Sequence, residues 1–132
     1  MNVLQNEYGR LMEKQNYQFI GNFSFDELVS DKKSWGKIKS LKIWLEDHSV
    51  IINGFIVMEK TKSYNSHFHT VFSVNTSELV TKNLVKNNLF KYWKRTGSVK
   101  IRDYNPSIGG FEMYMTKSLQ YNGFNYDFWE NL

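Results

Sequence analysis

Residues 50–74 decide the fold of this chain, and they read VIINGFIVMEKTKSYNSHFHTVFSV. Two apolar segments, Val50–Glu59 and His67–Val74, flank a short polar connection. Segments rich in β-branched and aromatic residues are typical of strands, and a connection of this length suits a hairpin. The stretch therefore predicts two antiparallel strands of one sheet.

The second of these strands carries two of the three histidines, His67 and His69, with Phe68 between them. Side chains alternate between the faces of a strand, so both imidazoles point the same way and Phe68 points the other way. The hairpin brings Glu59, at the end of the first strand, beside them. Two neutral imidazoles and one carboxylate with open positions suit Mg²⁺ or Mn²⁺ better than a closed zinc site. The alternative is a chance pair of surface histidines next to a solvent-facing glutamate.

A third candidate element is the segment Ser107–Leu119, which has an apolar stripe at helical spacing and can be capped by Ser107. A different face of this predicted helix carries Tyr114 and Lys117, one turn apart. Taken alone, Tyr114 is an amphipathic packing residue and Lys117 a solvated charge.

The whole chain has a net charge of +4, and its positive charge is concentrated in one segment. Seven basic residues and no acidic residue occur between residues 82 and 102, and Tyr92 and Trp93 lie among them. This mixture predicts a track for phosphates with stacking surfaces for unpaired bases. The alternative is a solvated helix face with Trp93 in the core. The basic residues are Lys82, Lys86, Lys91, Lys94, Arg95, Lys100 and Arg102.

The remaining periodic segments predict an α+β fold, with a central antiparallel sheet of four or five strands flanked by helices. One face of the sheet is expected to be packed, and the other to be free and to carry the histidines. Residues 2–15 are predicted to form an N-terminal helix, and residues 121–132 an aromatic tail. The other predicted elements are a strand at Tyr17–Phe25, helices at Ser34–Asp47 and Thr76–Arg95, and a strand at Ser98–Tyr104.

Composition indicates one domain, residues 1–132. The absence of cysteine excludes a disulfide framework and a zinc–thiolate cluster. No segment predicts a membrane span or a signal peptide, so we expect a cytoplasmic protein with no membrane partner. No Gly-rich phosphate loop is present, so no nucleotide cofactor is expected.

The order of these pieces resembles the HUH endonucleases, whose name denotes His-hydrophobe-His. The strand ending in Glu59, the His67-Phe68-His69 strand, a basic helix and a helix with Tyr114 and Lys117 follow one another along the chain. The similarity is to the rolling-circle replication initiators (Rep proteins) of plasmids and small viruses. It implies a Rep-type fold, Mn²⁺ or Mg²⁺ held by the glutamate and both histidines, and DNA binding through the basic run.

The resemblance also implies an enzyme, a tyrosine-dependent DNA nickase that can rejoin the strand it cuts. Tyr114 would form a 5′-phosphotyrosine with single-stranded DNA, such as an origin or hairpin, and Lys117 would favour the phenolate. Since one tyrosine must serve two transesterifications, we expect a homodimer, with the aromatic tail either forming its interface or covering its own sheet. A single-strand transposase of the same superfamily and a non-catalytic nucleic-acid-binding domain remain alternatives.

Overall fold

The computed structural model describes residues 17–48, 50–60, 65–76, 82–104 and 125–132. The elements in these ranges are, in chain order, β1 (Phe19–Ser24), α1 (Asp31–Asp47), β2 (Val50–Lys60), β3 (Ser66–Thr76), α2 (Lys82–Trp93), β4 (Val99–Asp103), β5 (Tyr126–Phe128) and a 3-10 turn at Trp129–Asn131. The predicted helices at residues 2–15 and 107–119 lie outside the described residues.

The five strands form one sheet in the order β4-β1-β3-β2-β5, and every neighbouring pair is antiparallel. The predicted hairpin is confirmed, since β2 and β3 pair from Val50–Thr76 to Lys60–Ser66. Strand β3 occupies the centre of the sheet. Its register is therefore fixed from both sides, by β1 and by β2, and the α+β class with an antiparallel sheet is confirmed.

Both helices pack on one face of the sheet and form the larger core. Phe68, which separates the two histidines, is fully buried there with residues of α1 and α2. Trp93 of α2 is also fully buried and donates its indole N–H to the carbonyl of Ser24 at 2.8 Å. Trp93 is thus a core residue, and its predicted role as a stacking surface for bases is wrong. Tyr92 is partly buried and packs against Trp44.

The opposite face of the sheet, which carries the histidines, is not free along its whole length as expected. A second apolar cluster lies on it, with Phe55, Val57 and Val71 fully buried. The lack of alternation in β2 explains the second cluster, because residues 55 and 57 are apolar like their neighbours 56 and 58. A strand that is apolar on both sides is typical of a sheet buried on both faces.

Two helix starts differ from prediction. Helix α1 begins at Asp31 rather than Ser34, because the Ser30 hydroxyl accepts a hydrogen bond from the Lys33 N–H and caps the first turn. The next helix was predicted to begin at Thr76, but Thr76 is the last residue of β3 and pairs with Val50.

The C-terminal tail covers its own sheet in the part that is described. Strand β5 pairs with β2, and Trp129 is fully buried in the larger core. Tyr126 and Phe128 pack against the smaller cluster on the histidine face. These three aromatic residues thus pack within their own chain. Tyr121 and Phe124 lie outside the described residues, and the predicted homodimer stays a prediction. No helix in the described ranges is long and apolar enough to cross a membrane.

Candidate metal centre

The site is built by three residues on two neighbouring strands. Glu59 of β2 lies directly opposite His67 of β3, and His69 follows two residues later on the same face. The His67 Nε2 and His69 Nε2 atoms are 2.9 Å apart. The Glu59 Oε2 atom is 3.4 Å from the first nitrogen and 3.2 Å from the second. The three side chains together could hold a metal ion.

The spacing of these three atoms suits ligation of one cation. Two ligands about 2.1 Å from an ion lie roughly 3.0 Å apart in octahedral geometry and roughly 3.4 Å apart in tetrahedral geometry. The observed separations of 2.9, 3.2 and 3.4 Å match these values closely. Three ligands on one side of an ion leave the remaining positions open for water or a substrate oxygen.

The chemistry of the three atoms also suits a cation. His69 Nδ1 faces the amide oxygen of Asn22 at 2.5 Å, so this nitrogen carries the ring proton. His69 Nε2 then presents a lone pair, and an ionised Glu59 presents another 3.2 Å away. When both imidazole rings are neutral, His67 Nε2 is the only one of the three converging atoms that can carry a proton. A divalent cation would satisfy all three.

The site is partly open to solvent and borders an apolar cluster. The side chains of Glu59, His67 and His69 are 20, 22 and 13 % exposed. The next residues of the same face along the two strands are the fully buried Val57 and Val71, which belong to the smaller apolar cluster.

Asn22 is the residue of this site that the sequence did not reveal. It lies on β1, opposite His69 in the register of the sheet. A lone asparagine in an apolar strand carries no recognisable signal, and the contact joins residues 47 positions apart. Only the pairing of β1 with β3 brings the two side chains together.

The predicted basic residues do not form one surface. Lys100 and Arg102 of β4 are exposed and lie opposite Asn22 and Ile20, which places them on the face of the sheet that carries the histidines. Lys91 and Lys94 are exposed at the end of α2, in the helix layer on the other side.

The other basic residues lie around α2. Lys86 forms an ion pair with Asp103 at 2.8 Å, so an acid just beyond the basic run neutralises one of its members. Arg95 lies beside Asp26 and Glu27 in a shallow cleft. Lys82 begins α2, and its side chain lies outside the described residues, as do Tyr114 and Lys117.

The described part of the chain is thus an α+β protein whose antiparallel sheet carries a two-histidine, one-carboxylate group that could hold a metal ion. A scan against protein-family models found no match. Searches of curated proteins and of solved structures also found no match.

Proposed function

We propose that the chain is an HUH-type endonuclease that nicks and rejoins single-stranded DNA through a 5′-phosphotyrosine, as the initiators of rolling-circle replication do. The observation that carries this proposal is the convergence of Glu59, His67 and His69 on one face of the sheet. In the proposed family, that constellation serves the cleavage of a phosphodiester.

A divalent ion bound by these three residues, Mn²⁺ or Mg²⁺, would supply Lewis-acid polarisation of the scissile phosphate. Both metals accept oxygen and imidazole ligands at sites with open positions. The site's partial exposure, about one fifth for Glu59 and His67, suits a ligand that is a long polymer rather than an enclosed small molecule.

Tyr114 is proposed as the nucleophile. Its phenolic oxygen would form a bond to phosphorus, and the bond to the 3′ oxygen would break, leaving a free 3′ hydroxyl. A free tyrosine has a pKa of about 10, so the reaction needs a group that favours the phenolate. Lys117, one helical turn away in the predicted helix, is proposed to supply that positive charge.

Lys100 and Arg102 are proposed to hold the DNA near the site. They extend from the edge strand β4 on the histidine face, with only β1 between β4 and the histidine-bearing β3. Strands lie about 4.8 Å apart, so the two cations are within about 10 Å of the histidine strand at the backbone.

Cleavage of single-stranded DNA in the presence of Mn²⁺ tests the proposal. We expect the wild type to nick a pool of single-stranded oligonucleotides of randomised sequence, and His67→Ala with His69→Ala to be inactive. EDTA should have the same effect as the double substitution. Binding of the strands without any nicking would instead favour the non-catalytic binding domain.

A further inference from the structure

We propose that Asn22 is a positioning residue of the metal site, which fixes the ring of His69 so that Nε2 is the ligand nitrogen. This inference rests on the proposed function in that it concerns the same three ligands. It adds a fourth residue, from a third strand, that acts through its contact with His69.

Asn22 and His69 are in direct side-chain contact. The amide oxygen of Asn22 lies 2.5 Å from Nδ1 of His69, across the β1–β3 pairing. A carbonyl oxygen can only accept a hydrogen bond, so Nδ1 must be the protonated nitrogen. The neutral ring is then held as the Nδ1–H tautomer, and its lone pair is at Nε2.

The lone pair on Nε2 lies toward the other two ligand atoms. On the far side of the ring, Nε2 faces Glu59 Oε2 at 3.2 Å and His67 Nε2 at 2.9 Å. The hydrogen bond that Asn22 accepts from Nδ1 therefore aims the ligand nitrogen at the other two ligand atoms. Hydrogen-bonded partners of ligating histidines fix the tautomer in this way and raise the basicity of the ring.

His67 differs from His69 in its surroundings. Its Nδ1 is buried and has no hydrogen-bond partner among the residues that the structure describes. The ring of His67 is thus not held from behind, and its proton can lie on Nε2, between the two rings. The metal site is asymmetric: the tautomer of His69 is set in advance by Asn22, whereas the proton of His67 must move from Nε2 to Nδ1 before Nε2 can bind an ion.

Asn22→Leu and Asn22→Asp separate the role of the amide oxygen from the fold. Leucine has a similar volume but no acceptor, whereas aspartate keeps an oxygen and adds a charge. Asn53→Leu is the matched control, because Asn53 is exposed on β2, the strand on the other side of β3, six positions before Glu59. Circular dichroism checks that each variant folds.

The first readout is ring ¹⁵N NMR of the metal-free protein at a pH where imidazoles are neutral. We expect His69 of the wild type and of Asn53→Leu to be the Nδ1–H tautomer, and the ring of Asn22→Leu to be a mixture. An Nε2–H tautomer in the wild type would overturn the assignment. This result does not depend on whether a metal binds.

The second readout is Mn²⁺ affinity by calorimetry. Loss of a partner of a ligating histidine typically weakens metal binding by about 10–100-fold, and we expect that loss for Asn22→Leu. Asn22→Asp should bind Mn²⁺ at least as tightly as the wild type. If Asn22→Leu does not fold, the affinity of Asn22→Asp decides the role of Asn22, and weaker binding than in the wild type would overturn it. Unchanged affinity in Asn22→Leu would overturn the role of Asn22 and leave the proposed function standing. A wild type that binds no Mn²⁺ would overturn the metal mechanism, and the tautomer would still decide the assignment of Asn22.

Discussion

Glu59, His67 and His69 meet through one atom each, so single side chains can be tested without disturbing the sheet. A ligand that binds only the folded state raises stability by RT ln(1 + [L]/Kd), about 2.7 kcal/mol at one hundred times Kd. We expect Mn²⁺ to raise the melting temperature of the wild type and to leave that of His67→Ala with His69→Ala unchanged.

His48→Ala is the control for this thermal experiment. His48 is exposed at the end of α1, where its ring contacts Trp44, and it takes no part in the metal site. Its removal should lower the melting temperature slightly while preserving the shift caused by Mn²⁺. An equal shift in the double variant would show that the ion binds elsewhere.

Tyr17 gives a prediction for alkaline pH. Burial, and secondly the negative charge of Glu130, raise the pKa of Tyr17 to about 12. Since an unfolded tyrosine titrates near 10, the folded state holds the proton more tightly between these values. The stability from the neutral phenol is therefore complete below pH 10 and is lost as the pH rises toward 12.

The measurement is the free energy of unfolding from urea titrations between pH 8 and 11. We expect the stability of the wild type to fall above pH 10 more steeply than that of Tyr17→Phe, with a difference in the range of about 1–2 kcal/mol by pH 11. Equal slopes for the two proteins would contradict a raised pKa at this residue.

Among the elements, β5 and the turn after it depend on Trp129. This side chain is fully buried, and its indole N–H donates to the Thr70 hydroxyl at 2.9 Å, which in turn donates to the carbonyl of Phe55. Trp→Ala in a core typically costs about 3–5 kcal/mol, and we expect that loss in chemical denaturation.

Trp129→Phe is the matched variant. It keeps an aromatic ring in the core but removes the N–H donor, and the loss of one buried hydrogen bond costs about 1–3 kcal/mol. Trp129→Phe should therefore lose less free energy of unfolding than Trp129→Ala. If Trp129→Ala were as stable as the wild type, the tail would not be part of the core.

The sequence predicts the β2–β3 hairpin because both strands are long and strongly apolar and lie next to each other in the chain. It predicts Glu59 beside the histidines for the same reason: a hairpin register is a local property. Strand β5 escapes prediction, since a segment of three residues, Tyr126–Phe128, is too short to show a period. The Asn22 contact escapes because it depends on the order of strands in the sheet.

The burial of the sheet face that carries the histidines is also not predictable from the sequence. Alternation in the sequence distinguishes the two faces of β3, where the histidines alternate with Phe68 and Thr70. It does not distinguish those of β2, where residues 55–58 are apolar without interruption. A continuous apolar run is equally compatible with a strand buried on one side or on both.

For the molecule as a whole, we expect the position of the basic residues, rather than the net charge, to determine the affinity for single-stranded DNA. Lys100→Glu with Arg102→Glu changes the net charge by the same amount as Lys91→Glu with Lys94→Glu. Only the first pair lies on the histidine face. We expect it to weaken single-stranded DNA binding more, and to reduce the dependence of log affinity on log salt by about 0.7 per lost phosphate contact.

Fluorescence anisotropy with a labelled oligonucleotide over a range of salt concentrations measures both quantities. EDTA in the buffer keeps cleavage out of the measurement. An equal loss in both double variants would mean that the strand is held by the overall positive charge. A larger loss in the α2 pair would place the DNA on the helix layer, away from Glu59, His67 and His69.

The most direct test of the proposed nickase is the covalent product itself. With Mn²⁺ and single-stranded oligonucleotides labelled at the 3′ end, the label should become attached to the wild-type protein, and mass spectrometry should locate it on Tyr114. A 5′ label should be released instead, because the tyrosine retains the 5′ phosphate. Tyr114→Phe should give no adduct while still binding DNA. Nicking by Tyr114→Phe at the wild-type rate, or full wild-type activity in EDTA, would contradict the mechanism.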